Sequence, residues 1–121
     1  MAVRAVRGAT QLEVDDRDHM LERVAEMVLD VMSSNGLVVD DFISVIFTAT
    51  SDLDAQFPAV AARNLGLSTV PLLCAREIEV PDSMPRVIRV MLHFYAPAGH
   101  EPVHVYVGEA QKLRTDLEAA Q

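Results

Sequence analysis

Val87-Ile88-Arg89-Val90-Met91-Leu92-His93-Phe94-Tyr95 has the composition and the period of a long β-strand. Ile88, Val90, Leu92 and Phe94 share one face, while Arg89, Met91, His93 and Tyr95 share the other. Both faces carry large apolar side chains, so both require cover. One of them also carries a guanidinium. Set among Ile88, Val90, Met91 and Leu92, Arg89 must meet an anion or reach water.

Working outward, residues 2–7 alternate as a first strand, with Val3, Ala5 and Arg7 on one face and Arg4 and Val6 on the other. Asp15 and Asp16 offer an N-cap for a long helix over about 16–34. Met20, Leu21, Val24, Met27, Val28, Val31 and Met32 recur along it at helical spacing, as a core stripe, and Asn35-Gly36 supplies the stop. The β-branched run from Ile43 to Thr50 predicts a second strand. Pro58 suits the first turn of a short helix ending near Gly66, and Val70 to Ala75 predicts a third strand. After the loop at Pro81 to Pro85 comes the long strand already quoted. Pro97, Gly99 and Pro102 then mark a turn, and Val103 to Val107 predicts a fifth strand. From Glu109 onward the patterning weakens, and the tail beyond about residue 115 is expected to be mobile.

Five strands with one long helix leave a packing problem. The helix covers one face of the sheet, and a short second helix cannot cover the other. Burying the second face between subunits of a homo-oligomer is the economical solution. Binding sites would then tend to lie in the clefts between chains.

The 121 residues suit one domain spanning the whole chain, without internal repeats or linkers. Half of them are apolar and 23% are charged, which is globular composition. No run resembles a signal peptide, and Asp30 interrupts the most apolar helical segment, so no membrane span is expected. A single cysteine, Cys74, rules out an internal disulfide. These features point to the cytoplasm. A net charge of −8 without a basic stripe argues against a nucleic-acid partner. All cations but Lys112 are arginines, whose rigid fork matches a carboxylate, although a GC-rich genome explains that bias equally well.

Common catalytic signatures are missing: there is no Gly-rich phosphate loop, nucleophile elbow or His-x-x-x-His pair. His93 and His104 would face each other across a last hairpin, but without a third ligand they make a poor metal site. What stands out is a set of polar residues at odd places. Arg7 closes the first strand, Arg63 lies one turn beyond Phe57-Pro58-Ala59, and Cys74 and Glu77 sit at the end of the third strand. Arg89 and Tyr106 lie inside apolar strands. Each has an ordinary alternative: Arg7, Arg63 and Arg114 as solvated charges, Arg89 paired with Glu77 as scaffold, and Tyr106 as an interface ring.

Taken together, these segments resemble the monofunctional bacterial chorismate mutases of the trimeric, barrel-like α/β class. The resemblance rests on Val6-Arg7-Gly8-Ala9-Thr10, Thr48-Ala49-Thr50-Ser51-Asp52-Leu53 and Phe57-Pro58-Ala59 with Ala62-Arg63. It continues through Val70-Pro71, Cys74 with Glu77, Ile88-Arg89-Val90-Met91, His104-Val105-Tyr106 and Leu113-Arg114. It runs in order from about residue 3 to 117. The resemblance implies an α+β fold: a mixed five-stranded sheet with the long helix on one face and a short second helix, assembled as a homotrimeric pseudo-α/β-barrel. It implies conversion of chorismate to prephenate without metal or cofactor, at sites between subunits. Arg7, Arg89 and Tyr106 would come from one subunit, and Phe57, Ala59, Arg63, Leu73, Cys74 and Glu77 from its neighbour, with Leu113 and Arg114 as further substrate contacts. Val60 and Leu73 depart from the lysine and threonine expected there. Two rivals stand beside this reading: a Rid-type imine deaminase on a similar trimer, and a non-catalytic trimeric module that binds a small carboxylate. The Rid type's C-terminal arginine-containing strand motif has no counterpart in this chain.

Overall fold

A computed structural model describes residues 1–113. The strands are β1 (Ala2–Gln11), β2 (Phe42–Ala49), β3 (Leu72–Arg76), β4 (Val87–Ala96) and β5 (Val105–Val107). Two helices, α1 (Arg17–Asn35) and α2 (Ala59–Asn64), lie between β1 and β2 and between β2 and β3. The sheet order is β3-β2-β4-β1-β5. β4 is antiparallel to both β1 and β2, while the outer pairs β2·β3 and β1·β5 are parallel. This is the mixed five-stranded sheet with one long helix that the resemblance implies.

α1 begins where Asp16 accepts the His19 N–H at 2.9 Å. It ends at Gly36, whose left-handed φ of 62° lets its N–H close onto the Met32 and Ser33 carbonyls. Met20, Val24, Met27, Val28 and Val31 are buried against the sheet. Close approach is possible because β1 carries Gly8 at the crossing. A Cβ there would sit 3.1 Å from both the Val31 and Val90 side chains.

Two boundaries and one strand pairing differ from the sequence reading for definable physical reasons. β1 continues past Arg7 through Gly-Ala-Thr to Gln11, because β4 supplies a partner for every residue from Ala2 to Gln11. β5 loses Val103 and His104; the Val103 N–H and C=O are both taken by the buried Asn35 carboxamide, at 2.8 and 3.0 Å. Asn35 therefore does more than stop α1: it anchors the connection from β4 to β5. Lastly, β4 and β5 form no hairpin, since β1 runs between them. His93 and His104 are thus not facing partners, and the two-histidine metal site is not formed. The His93 Nδ1 lies 3.3 Å from the Ser44 hydroxyl, and the His104 Nδ1 accepts the Arg7 N–H at 3.0 Å.

On the opposite face of the sheet, helical turns over residues 108–113 cover only the part around Ala9 and Val87, through Ala110 and Leu113. Val3, Leu73 and Tyr95 on that face are each about half exposed or more, at 55%, 60% and 48%. No described helix is long and apolar enough to cross a membrane.

Candidate active site

Strand pairing gathers the polar candidates into one cross-strand row on the open face. Thr48 of β2 lies opposite Arg89 of β4, Arg89 opposite Ala9 of β1, and Ala9 opposite Tyr106 of β5. Ala9 is the small member, leaving room between a guanidinium and a phenol. Arg7 lies two residues earlier on the same face of β1, opposite Met91. The result is a cavity of about 420 Å³ lined by Arg7, Thr48, Arg89 and Tyr106, with Ile46 and Met91 as apolar wall. Its size suits a small-molecule ligand, and two guanidiniums give it the charge for an anion.

Glu77 completes this group. Its carboxylate approaches from just beyond β3, where its own N–H donates to the Ala49 carbonyl at 3.0 Å. Glu77 Oε1 lies 3.2 Å from Arg89 Nε, and Glu77 Oε2 accepts the Thr48 hydroxyl at 2.9 Å. The Arg89 contact has the distance of an ion pair without the alignment of a hydrogen bond, so the buried Nε–H makes no hydrogen bond among the described residues. The Arg89 side chain nevertheless remains 38% exposed and faces the cavity. Scaffold pairing and a place on a cavity wall coexist at one residue.

The other candidates lie elsewhere. Phe57 and Cys74 line a second cavity of about 470 Å³, between the end of β3 and residues 53–58. Strand alternation separates Cys74, which packs partly against the core beneath α1, from Leu73, which lies on the open face opposite Ile46. Ala59 is buried at the start of α2, whereas Arg63 projects exposed from its last turn. Asp15 secures the 53–58 segment by accepting the Asp54 and Ala55 N–H groups at 3.2 and 3.1 Å. Burial pushes the Asp15 carboxyl up, but its hydrogen bonds with Asp54 and Ala55 leave it below the ordinary value. Asp54, hydrogen-bonded to Asp15, is held above the ordinary value.

Leu113 is buried in a small cluster with Ala9, Val87 and Ala110, packed against Tyr106, so it backs the first cavity. Arg114 and the tail expected beyond residue 115 fall outside the described residues. Two differences from the sequence reading concern Glu77 and Thr48. Glu77 was expected in a neighbour's wall, yet it pairs with Arg89 of its own chain. Thr48 joins Glu77 and Arg89 through strand register, outside the set of polar residues at odd places. Its signal was available: a hydroxyl residue within the apolar strand, on the face that carries Ile46.

Comparison with known proteins agrees with the geometry. The family model described as chorismate mutase type I matches residues 3–117. A chorismate mutase AroH from Thermus thermophilus is 45% identical over 121 residues, covering 98% of this chain and 99% of its own. The AroH from Bacillus subtilis (strain 168) is 33% identical over 119 residues, covering 97% and 94%. A solved chorismate mutase from Clostridium thermocellum superposes with a TM-score of 0.86 at 41% identity, covering 90% of this chain and 98% of that one. With an arginine-lined cavity on a matching sheet and a family match over nearly its whole length, the chain belongs to the chorismate mutase type I family.

Proposed function

We propose that this enzyme rearranges chorismate to prephenate in clefts completed between subunits of a homotrimer, with Arg89 stabilising the charge that develops during the reaction. The observation that carries the proposal is the Arg89 guanidinium. It lies 3.2 Å from the Glu77 carboxylate, has a buried Nε–H without a hydrogen bond among the described residues, and faces a cavity shared with Arg7 and Tyr106.

Chorismate carries two carboxylates, a ring hydroxyl and an ether oxygen. Its Claisen-type rearrangement requires neither proton transfer nor a nucleophile. Catalysis then comes from holding the folded conformer and stabilising the ether oxygen as the carbon–oxygen bond breaks. In this reading Arg7 and Tyr106 hold one carboxylate, and Arg89 spans that carboxylate and the ether oxygen. Glu77 accepts the substrate hydroxyl's hydrogen bond and balances positive charge on the allyl fragment, with Cys74 nearby. Arg63 meets the second carboxylate near the mouth. Phe57 and Leu73 form apolar wall, Ala59 borders it, and Leu113 and Arg114 are further substrate contacts.

A neighbouring subunit is needed because one chain divides these residues between two cavities, with Arg7, Arg89 and Tyr106 in one and Phe57 and Cys74 in the other. The half-exposed Val3, Leu73 and Tyr95 supply an apolar surface for such an assembly. Residues 1–121 would act as one unit, in the cytoplasm, feeding phenylalanine and tyrosine biosynthesis. Family membership displaces the Rid-type deaminase and the non-catalytic module weighed from the sequence.

Two measurements test the proposal. Purified protein incubated with chorismate should consume its absorbance and yield prephenate; binding without turnover would refute the reaction. Sedimentation should give a trimer, and a fully active monomer would refute the shared cleft.

A further inference from the structure

The Glu77 carboxylate is anchored unevenly. Its backbone is fixed to β2 through the Ala49 carbonyl, but the terminal torsion of a glutamate is broad and two-fold. Arg89 attracts it without giving it direction, because the Nε–H at 3.2 Å is not aligned with the carboxylate. Among the described residues, one side chain gives Glu77 a directed hydrogen bond: Thr48, whose Oγ1 donates to Oε2 at 2.9 Å. The geometry is set by the sheet, since Thr48 lies directly opposite Arg89 across β2 and β4. Thr48 also lines the cavity that holds Arg7 and Arg89.

We infer that Thr48 is a positioning residue that holds one oxygen of the Glu77 carboxylate, leaving the other at the Arg89 edge of the cavity, where substrate binds. This rests on the proposed role of Glu77 in the rearrangement. Without the hydroxyl, the carboxylate is free to turn both oxygens onto the Arg89 guanidinium. A bidentate pair of that kind would withdraw Glu77 from the substrate hydroxyl and occupy donors that Arg89 directs at the ether oxygen. The effect of Thr48 is therefore expected in turnover rather than in capture of the substrate.

Steady-state kinetics with chorismate test this in the full-length enzyme. Thr48→Val keeps the branched shape and removes the donor. It should lower kcat about tenfold, the scale of one hydrogen bond to a charged group, with KM within about twofold and the unfolding midpoint little changed. Thr48→Ala, smaller but equally without a hydroxyl, should lower kcat by the same factor. Thr48→Ser should recover most of the loss. In a Glu77→Ala background, Thr48→Val should cost nothing further, because the two residues act as one unit. A Thr48→Val enzyme with wild-type kcat would overturn the inference. So would a Thr48→Ser enzyme as slow as Thr48→Val, or an undiminished Thr48→Val effect beside Glu77→Ala. The underlying reading fails separately: Glu77→Ala at wild-type turnover would remove Glu77 from the mechanism. A collapse in Glu77→Ala beside a fully active Thr48→Val would remove only Thr48.

Discussion

The two faces of β4 are made from one strand with one period, and they have opposite fates. Ile88, Val90, Leu92 and Phe94 are at most 2% exposed, covered by the chain's own helices and loops. Arg89, Met91 and His93 are only partly buried, and Tyr95 is 48% exposed. One face is completed within the chain, while the other is left unfinished where a cavity and exposed apolar side chains meet. The contrast separates two kinds of work: the covered face holds the fold together, and the open face carries the residues proposed to bind and react.

If that division holds, substitutions on the two faces should move different observables. Phe94→Ala removes a fully buried ring, so it should cost about 3–5 kcal/mol of stability, read by denaturant unfolding. A loss below about 1 kcal/mol would mean that the covered face is not the stabilising one. Five residues earlier and on the opposite face, Arg89→Ala should remove about 3–4 kcal/mol of transition-state stabilisation, mostly in kcat. Its unfolding midpoint should stay near wild type, and unaltered turnover would defeat the proposed mechanism.

Gly8→Val sharpens the contrast from β1, since the new side chain points into α1 and not into the cavity. With Val31 and Val90 at 3.1 Å from a Cβ, overpacking should cost about 1–3 kcal/mol. Retained stability would show that α1 shifts freely over the sheet. Arg63→Ala reaches beyond the open face to the edge of the proposed cleft. A carboxylate at the mouth changes little during reaction, so KM should rise about tenfold, or ~1.4 kcal/mol, with kcat nearly constant. A fall in kcat at constant KM would contradict that role. The smallest effect concerns salt. An acidic chain that captures a dianion at arginines should show kcat/KM falling gradually with ionic strength, and a steady rise would contradict it.

Much of this was legible before any coordinates. The alternation in 87–95 identified the two faces of β4, and the stripe from Met20 to Val31 identified the core face of α1. Arg7, Arg89 and Tyr106 were singled out as polar residues at odd places, and the fold gathers them around one cavity. Other features were hidden for definable reasons. Gly8-Ala9-Thr10 looks too small to continue a strand, and it does so because β4 offers a ladder and α1 needs the space. Cys74 and Glu77 read as one cluster, although alternation along β3 sends Cys74 toward the core while Glu77 turns to Arg89. Asn35 read as a helix stop, with no hint that its amide would bind Val103, 68 residues away.

By itself, the amino-acid order determined what repeats locally: which segments extend, which coil, and which side of each is apolar. Those properties depend on the period of side chains along a few turns or a few rungs, and the chain carries that period wherever it goes. Only the tertiary structure decided that β5 lies beside β1 instead of β4, that Thr48 stands across from Arg89, and that Glu77 reaches its own chain's guanidinium. Strand order and register are set by pairings between distant segments competing for the same backbone hydrogen bonds. No window short enough to show a period contains both partners of such a choice.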